Sequence, residues 1–393
     1  MKSHFLHKMR TIHIYCSNIS AHIGIMGVIQ NAVADALKYG NEEIDVIGGD
    51  YSKYYRFEWD TSEEQIVTTN VDEIGKPDMV LFMPWGKYRQ ILPLMLRSKL
   101  AGAKVGIWAF GFFAWQQNIC NWQGGKTPIF LKKILTKVIK MATKPIVNFY
   151  LMAGNEEIKS SRLPAEKCVK ITFGVPQSKL LDAARKCQLQ VTASDKKNII
   201  YFGRGQWIEK GVSNIVNYSK SNLGSDFNYE FFFSKRDEQC DSIKEGENDT
   251  NLQRIENVNG AELLPYIKRS VALFTLNQNP IQLRSLYETL SAGCKVVVMK
   301  EAFMDEIKKL LEKHGAGESV MIVDAEQVED LSYEVKASSD ESVQKTIEVM
   351  QVLLDRENFG KWFASWLSKP NQNQDYYHYT HNAIIGSSNK NML

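Results

Sequence analysis

The chain of 393 residues lacks the patterns that mark several large classes of protein. Its six cysteines lie far apart, without a Cys-x-x-Cys pair or a nearby set of histidines, which argues against a zinc site and a disulfide framework and favours a reducing compartment. The longest apolar run, Val105–Trp115, has eleven residues, well short of the roughly 20 that a membrane span needs. The first residues do not form the apolar core of a secretory signal. A Walker loop, a Gly-x-Ser-x-Gly elbow and a His-Glu-x-x-His motif are also missing from the sequence.

Acidic residues are absent from one long segment. Residues 79–155 contain no Asp or Glu but hold 11 Lys or Arg, together with four tryptophans. The net charge of +3 is accordingly uneven, because residues 1–196 carry 26 Lys and Arg against 17 Asp and Glu, or +9, and the remainder carries −6. The first half therefore has the basic surface, which favours an anionic partner.

Residues 128–144 of this segment have the pattern of a basic amphipathic helix. Apolar residues recur on one side, and a second side carries a lysine stripe made of Lys133, Lys137, Lys140 and Lys144. One interpretation is a helix that lies on an anionic membrane surface, with these lysines as the contact. The alternative is a helix that packs its apolar side into the core and leaves its lysines in water. A polyanion such as DNA is a third option for the same charge.

Predicted strands and helices alternate along the chain. Strands are expected at 10–16, 44–48, 79–83, 104–108, 147–152, 198–202, 229–233 and 320–323. Helices such as 88–100 and 211–220 lie between them with short connections, which favours parallel α/β sheets. A long helical region is expected at 342–366 with a break near Gly360, and the polar tail from Lys369 onward is expected to be loop or disordered.

The polar segment 177–197 separates two similar α/β halves. We predict a first Rossmann-like domain over 1–176 that binds the acceptor, a linker over 177–197, and a second Rossmann-like domain over 198–360. We expect residues 361–393 to form a C-terminal helix and a polar tail, which can cross back to the first domain. Two such halves enclose a cleft between their open strand ends, where ligands of these folds bind.

The segment 273–300 is the most informative part of the sequence. It has the pattern of a strand, a polar loop, a short helix with apolar residues at helical spacing, a stopping Gly293 and a second strand. Because a helix that follows a parallel strand directs free N–H groups toward the cleft, its start suits a phosphate. One acid, Glu288, lies on this helix, and the alternative is an ordinary βαβ unit with a surface glutamate.

Two cations stand at the start of the second half, in YFGRGQWIEKG. Phe202 ends a predicted strand, Gly203 permits close approach of the backbone, and Arg204 and Lys210 follow in the loop. Paired cations beside a helix start stabilise the charge that develops on a diphosphate leaving group. Near the N-terminus, Gly24 and Gly27 form a looser glycine loop between a strand and a helix, whose spacing is not that of a dinucleotide fingerprint.

These motifs, in the order GR(x5)KG, VNGAELLPYIKRSVALF and LYETLSAGCKVVV, resemble the C-terminal domain of the large group 1 family of retaining GT-B glycosyltransferases, which use nucleotide sugars. The resemblance extends weakly over residues 10–325. It implies an α/β, GT-B fold of two Rossmann-like domains that face a central cleft. Together with the cysteine pattern and the basic segment, it predicts a cytoplasmic enzyme, peripheral at the inner face of the membrane. That enzyme moves a sugar from a nucleotide diphosphate donor to a lipid-linked or cell-surface polysaccharide acceptor.

The resemblance also assigns site residues. Arg204 and Lys210 match the family's diphosphate pair and Glu288 its ribose acid. The remaining donor-binding candidates are Gly203, Asn279, Gln282, Leu283, Arg284 and Ser285, and Gly24 and Gly27 are candidates on the acceptor side. No Asp-x-Asp motif is present, so we expect neither a metal nor another cofactor.

The sequence departs from the family at two points. Pro280 stands where the family has a second acid, and no histidine follows the fourth N-terminal strand. Two further functions therefore stay open. One is a catalytically degenerate GT-B scaffold protein, and the other is a DNA glycosyltransferase of the phage type.

Overall fold

The computed structural model describes residues 11–15, 45–49, 54–59, 64–69, 76–82, 88–109, 134, 137–138, 141–172, 183–184, 197–203, 211–233, 252–256, 258, 260–276, 284–368 and 375–390. These residues form an eight-stranded sheet and a six-stranded sheet, with helices between their strands. The predicted α/β class is therefore confirmed.

The first sheet is built from the N-terminal part of the chain. Its strands are β1 (Thr11–Tyr15), β2 (Asp45–Gly49), β3 (Tyr54–Trp59), β4 (Glu64–Thr69), β5 (Met79–Phe82), β6 (Lys104–Trp108), β7 (Phe149–Met152) and β8 (Cys168–Lys170). They lie in the order β4-β3-β2-β1-β5-β6-β7-β8. The pairs β2–β3 and β3–β4 are antiparallel, and the other pairs are parallel. Helix α1 (Tyr88–Leu100) joins β5 to β6, and α2 (Asn155–Ser161) joins β7 to β8. The sequence does not predict β3 and β4, because their mixed polar residues lack a continuous apolar run.

The second sheet is entirely parallel. Its strands β9 (Asn198–Gly203), β10 (Asn228–Phe233), β11 (Leu252–Glu256), β12 (Ser270–Thr275), β13 (Lys295–Met299) and β14 (Val320–Val323) lie in the order β11-β10-β9-β12-β13-β14. The helices along it are α3 (Val212–Ser219), α4 (Leu264–Arg269), α5 (Arg284–Ser291), α6 (Asp305–Lys313) and α7 (Ala325–Glu329). Short 3₁₀ helices lie at Ala165–Lys167, Gly260–Leu263, Lys300–Ala302 and Gly317–Ser319. Every residue of β12 and β13 is buried, as expected for central strands covered on both faces.

The predicted strand, helix and strand of 273–300 are present as β12, α5 and β13. Leu286, Tyr287 and Leu290 of α5 are fully buried, which confirms the helical spacing. Gly293 ends the helix with φ of +77°, and its N–H donates to the Leu290 carbonyl oxygen at 2.9 Å. A side chain is strained in this left-handed conformation, so glycine is the residue that suits the position.

The C-terminal region corrects two predictions. Helix α8 (Asp340–Leu353) and helix α9 (Arg356–Ser368) are separated at residues 354–355, and Gly360 lies inside α9. The tail that was expected to be loop forms α10 (Tyr376–Lys390). Aspartates before α9 and α10 explain both differences, since Asp355 accepts from the Asn358 N–H and Asp375 from the His378 N–H, each at 2.8 Å.

Helix α9 packs against the first sheet. Trp366 meets Phe149 of β7 edge-on, with ring centroids 4.8 Å apart, and Phe363 contacts Trp108 of β6 at 6.3 Å. The expected boundary between residues 360 and 361 lies inside α9. The division into domains stays a prediction.

Candidate functional site

The candidate donor site lies at the carboxyl edge of the second sheet. β9 and β12 are neighbours and parallel, so the chain leaves both strands at the same edge. The segment after β9 runs from 204 to 210 and the segment after β12 from 277 to 283. Arg204, Lys210, Asn279, Gln282 and Leu283 belong to these two segments and lie outside the described residues.

The ends of both segments are held close together. Gly203 is the last residue of β9 and pairs with Phe233 of β10. Gly211, with φ of +69°, immediately precedes α3. Within α3, the Asn214 side-chain amide donates to the carbonyl oxygen of Leu276 at 3.3 Å, just past the end of β12. The start of α3 is therefore anchored beside the strand that leads to α5.

Helix α5 presents the proposed acid. Arg284 is its first residue, Ser285 is half-buried, and Glu288 is 9% exposed. The alternative of a surface glutamate is wrong, because this side chain is buried. A carboxylate buried to this degree requires polar or charged partners. The start of a helix that follows a parallel strand has the geometry that suits a phosphate.

Opposite this edge, the carboxyl ends of the first sheet meet the second half of the chain. The residues after β7 lie against the start of α6, where the Asn155 amide donates to Glu306 at 2.6 Å. A Cβ atom on Gly154 would lie 2.8 Å from an Asp305 carboxylate oxygen. A side chain at position 154 would therefore require the Asp305 carboxylate to shift.

Lys170 joins three separate parts of the chain at this junction. It ends β8, and its ammonium group lies 3.2 Å from Glu306 of α6 and 3.0 Å from Asp375 before α10. Beside it, the Tyr377 hydroxyl donates to the Ala153 carbonyl oxygen at 2.9 Å. These contacts fix the carboxyl edge of the first sheet against α6 and α10. No local sequence pattern predicts these contacts, since Lys170 and Glu306 are 136 positions apart.

The charges at the junction shift each other's protonation. Burial alone lowers the pKa of Lys170, but the carboxylates of Asp375 and Glu306 outweigh burial and raise it. Burial likewise acts to raise the pKa of Glu306, and the charges of Lys170 and Lys309 outweigh it and lower that pKa. The pKa of Asp305 is raised, by burial first and then by the charge of Glu306. The junction is thus a charge network centred on Lys170 and Glu306.

The other predicted site residues are placed as follows. Lys137 and Lys144 are exposed, whereas Gly24, Gly27, Lys133 and Lys140 lie outside the described residues. In the part of the chain that the structure describes, no group of three or more His, Cys, Asp or Glu side chains is placed to hold a metal ion. The expectation that no metal or cofactor is needed stays a prediction.

A cavity of about 670 Å³ lies on the other face of the second sheet from α5. It is bounded by α3, by Met299 at the end of β13 and by α7, and Asn214, Asn217, Lys220 and Glu329 supply its polar lining. Ser285 and Glu288, the predicted donor residues whose side chains the structure describes, do not contribute to this lining.

Comparison with known proteins identifies the fold. No family model matches the chain, and no curated sequence matches it. Solved structures do match along nearly the whole chain. One is a protein described as trehalose-6-phosphate from E. coli bound with UDP-2-fluoro glucose, at 10% identity and a TM-score of 0.59, covering 91% of this chain and 99% of the other.

Two further structures resemble the chain to a similar degree. An α,α-trehalose-phosphate synthase (UDP-forming) from Burkholderia xenovorans in complex with glucose-6-phosphate is 12% identical with a TM-score of 0.59, covering 92% and 100% of the two chains. A sucrose-phosphate synthase from Thermosynechococcus elongatus is 10% identical with a TM-score of 0.51, covering 98% and 99%. The chain therefore has the GT-B fold, as its resemblance to retaining glycosyltransferases predicts. At these identities the comparison establishes the fold and leaves the reaction to be argued from the site.

Proposed function

We propose that this protein is a retaining glycosyltransferase that takes a sugar from a nucleoside diphosphate donor. The observation that carries the proposal is the buried Glu288 on α5, the helix that follows a central parallel strand of a GT-B fold. Nucleotides bind folds of this kind at the carboxyl edge of the sheet. The solved structures of the same fold include one with a UDP sugar analogue.

Each donor-site residue has a chemical role in this proposal. Arg204 and Lys210 hold the diphosphate, Glu288 accepts hydrogen bonds from the ribose, and the backbone at 283–285 completes the phosphate site. Asn279 and Gln282 bind hydroxyl groups of the sugar, where Pro280 supplies no acid. The close approach of donor and backbone is allowed by Gly203.

The reaction breaks the bond between the anomeric carbon and the diphosphate oxygen. A bond forms from the acceptor hydroxyl oxygen to the same face of that carbon, and the departing phosphate oxygen takes the hydroxyl proton. Negative charge that accumulates on the diphosphate is stabilised by the two cations, which is the largest contribution that the protein makes to such a step.

We propose that the acceptor is a sugar carried on a phosphate, most specifically a lipid-linked sugar or the growing end of a surface polysaccharide. The basic segment 79–155 supports an anionic acceptor, because it holds 11 cations and no acid. A solved neighbour of the same fold binds glucose-6-phosphate, and a free sugar phosphate is therefore the alternative acceptor. Comparing turnover of a free sugar phosphate with that of its lipid-linked form separates the two.

The site of action in this proposal is the cytoplasmic face of an anionic membrane. Among the described residues, no helix is both long and apolar enough to cross a bilayer. Peripheral attachment through the lysine stripe is consistent with the exposure of Lys137 and Lys144.

Thermal stabilisation by nucleotides tests the donor site. A ligand at 100 times its dissociation constant adds about 2.7 kcal/mol to the free energy of unfolding, so the correct nucleoside diphosphate gives a clear shift in Tm. We expect one of UDP, GDP, ADP or dTDP to stabilise the wild type and Arg204→Ala to remove the effect. Absence of any shift in the wild type contradicts the proposal.

Turnover separates the alternatives that the sequence leaves open. A degenerate scaffold protein binds the nucleotide without transferring or hydrolysing the donor sugar, so detection of free nucleotide from a nucleotide sugar excludes it. A DNA glycosyltransferase requires DNA affinity that falls steeply with salt.

A further inference from the structure

An apolar patch on the first domain is exposed to solvent. Among the described residues, seven large apolar side chains are exposed, and five of them belong to two segments of the first domain. These five, which we call the apolar patch, are Leu96 (47% exposed), Leu100 (79%), Ile134 (46%), Val138 (54%) and Met141 (67%).

The patch corrects the core-facing interpretation of the basic helix. Residues 134, 137, 138 and 141–143 are helical, and Ile134, Val138 and Met141 are spaced so that they share one helix face. Thr143, by contrast, is buried at 2% exposure. This segment therefore contacts the core through a different side, the one that carries Thr143. Part of the apolar side of the segment is exposed to water.

The two segments of the patch lie on the same side of the first sheet. α1 crosses from β5 to β6 and the residues around 134–143 cross from β6 to β7, between strands that are adjacent and parallel. Both crossovers proceed in the same direction along the sheet, and right-handed connections place them on one face.

A direct contact brings the ends of the two segments together. The Asn148 side-chain oxygen accepts from the Lys99 ammonium at 3.1 Å and from the Val105 N–H at 2.9 Å. Lys99 lies in the last turn of α1, and Asn148 follows the second segment by a short turn. Leu100 and Met141, the most exposed members of the patch, lie near these ends.

The charged residues on the two segments that carry the patch have one sign. Arg97, Lys104, Lys137 and Lys144 are exposed on the same two segments or at their ends, and residues 79–155 contain no acid. A protein partner with an apolar contact surface would not require this absence. An anionic bilayer favours the absence of acidic residues, because its phosphate headgroups pair with the cations while its acyl boundary takes up apolar side chains.

We infer that the apolar patch inserts into the headgroup and acyl boundary of an anionic bilayer, with the flanking lysines and arginine on the lipid phosphates. The inference extends the proposed membrane location from charge attraction to insertion, and it is independent of the proposed reaction. It also assigns a membrane role to α1, which the lysine stripe does not include.

Flotation with lipid vesicles tests the inference without measuring activity. The probes are vesicles of phosphatidylcholine alone and vesicles that also contain phosphatidylglycerol in equal part. We expect the wild type to float with the anionic vesicles and not with the neutral ones. Flotation should fall at high salt but not disappear, since inserted apolar side chains are not screened.

Matched variants separate insertion from charge. The triple change Ile134→Ser, Val138→Ser and Met141→Ser should lower binding to anionic vesicles by roughly tenfold or more. It removes three of the five apolar side chains that insertion would bury in the bilayer. The control, Leu223→Ser with Ile385→Ser, changes exposed apolar residues outside the patch and should float like the wild type. All five positions are already in contact with water, and thermal melting verifies that each variant is folded.

Three outcomes would overturn the inference. One is failure of the wild type to float at any salt concentration, which also removes the proposed membrane location. Another is flotation of the triple variant at the level of the wild type, which leaves charge attraction alone. The last is sedimentation of the wild type as a dimer that the triple variant dissociates, since the patch would then join two copies of this chain.

Discussion

The hydroxyl of Tyr377 donates a hydrogen bond to the carbonyl oxygen of Ala153 at 2.9 Å, between residues that lie 224 positions apart. Tyr377 is in the first turn of α10 and Ala153 follows β7. Both residues are almost fully buried, at 5% and 1% exposure. The contact holds the C-terminal helix against the carboxyl edge of the first sheet.

Removal of this hydroxyl tests how much the contact stabilises the protein. We expect Tyr377→Phe to lower the free energy of unfolding by about 1 kcal/mol, because one buried hydrogen bond is lost while the ring stays in place. Urea denaturation measures the change. Tyr379→Phe on the same helix is the control, since no described residue bonds its hydroxyl, and equal losses in the two variants would contradict the role of the contact.

The accuracy of the sequence predictions follows how local the determining contacts are. The helix at 88–100 and the strands at 104–108 and 320–323 are present at the predicted residues, because apolar runs specify them without reference to the rest of the chain. The tail is different. Tyr376 and Tyr377 are buried with hydrogen bonds to partners distant in sequence, and their polar neighbours predict a loop.

The candidate site likewise contains residues that local sequence features reveal and residues that they do not. Glu288 is recognisable because its spacing from Gly293 and the apolar pattern of α5 are local features. The network of Lys170, Glu306 and Asp375 is not, since its members come from three separate segments. Periodicity also predicts which side of the basic helix is apolar, but it does not show that Ile134 and Val138 on that side are exposed to water.

Loss of Lys170 should weaken the junction. Lys170→Met leaves two carboxylates, Glu306 and Asp375, without their shared cation, and the partly buried geometry predicts a loss of about 2 kcal/mol in the free energy of unfolding at neutral pH. Lys309→Met is the matched control, because Lys309 contacts the same Glu306 at 3.1 Å but is 52% exposed. We expect it to cost less than about 1 kcal/mol.

The loss of unfolding free energy in Lys170→Met should depend on pH in a predictable direction. The pKa of folded Glu306 lies below its ordinary value of 4.5, so its stabilising contribution is present above that pH and disappears as the pH falls through the lowered value. The raised pKa of Lys170 keeps its contribution complete up to about pH 10.5. The difference between wild type and Lys170→Met should therefore be constant near neutrality and narrow in acid. A difference that grows on acidification would be inconsistent with this network.

Two glycines with positive φ separate backbone strain from packing. At Gly293 an added Cβ would lie 2.7 Å from the Val343 side chain, whereas at Gly102, with φ of +88°, nothing lies within 4 Å. Gly102→Ala should cost about 1 to 2 kcal/mol from the left-handed backbone alone. Gly293→Ala should cost roughly 1 to 3 kcal/mol more, because α8 must also move. Equal thermal shifts in the two variants would show that α8 adapts freely.

Glu288 offers the most direct test of the donor site. Glu288→Gln keeps the size of the side chain and removes the charge that would accept the ribose hydroxyls. A hydrogen bond to a charged group contributes about 1.5 to 3 kcal/mol, so we expect the dissociation constant of the nucleoside diphosphate to rise by roughly tenfold or more. Isothermal titration calorimetry measures it, with the Tm of the unliganded variant as a check on folding.

A second carboxylate provides the matched control. Glu329 lines the cavity of about 670 Å³ on the other face of the same sheet. If the nucleotide binds at α5, Glu329→Gln leaves its dissociation constant unchanged. If Glu329→Gln weakens binding and Glu288→Gln does not, the nucleotide occupies that cavity instead. The pair of variants therefore decides which face of the second sheet holds the donor, and the assignment of Arg204 and Lys210 to the diphosphate depends on that outcome.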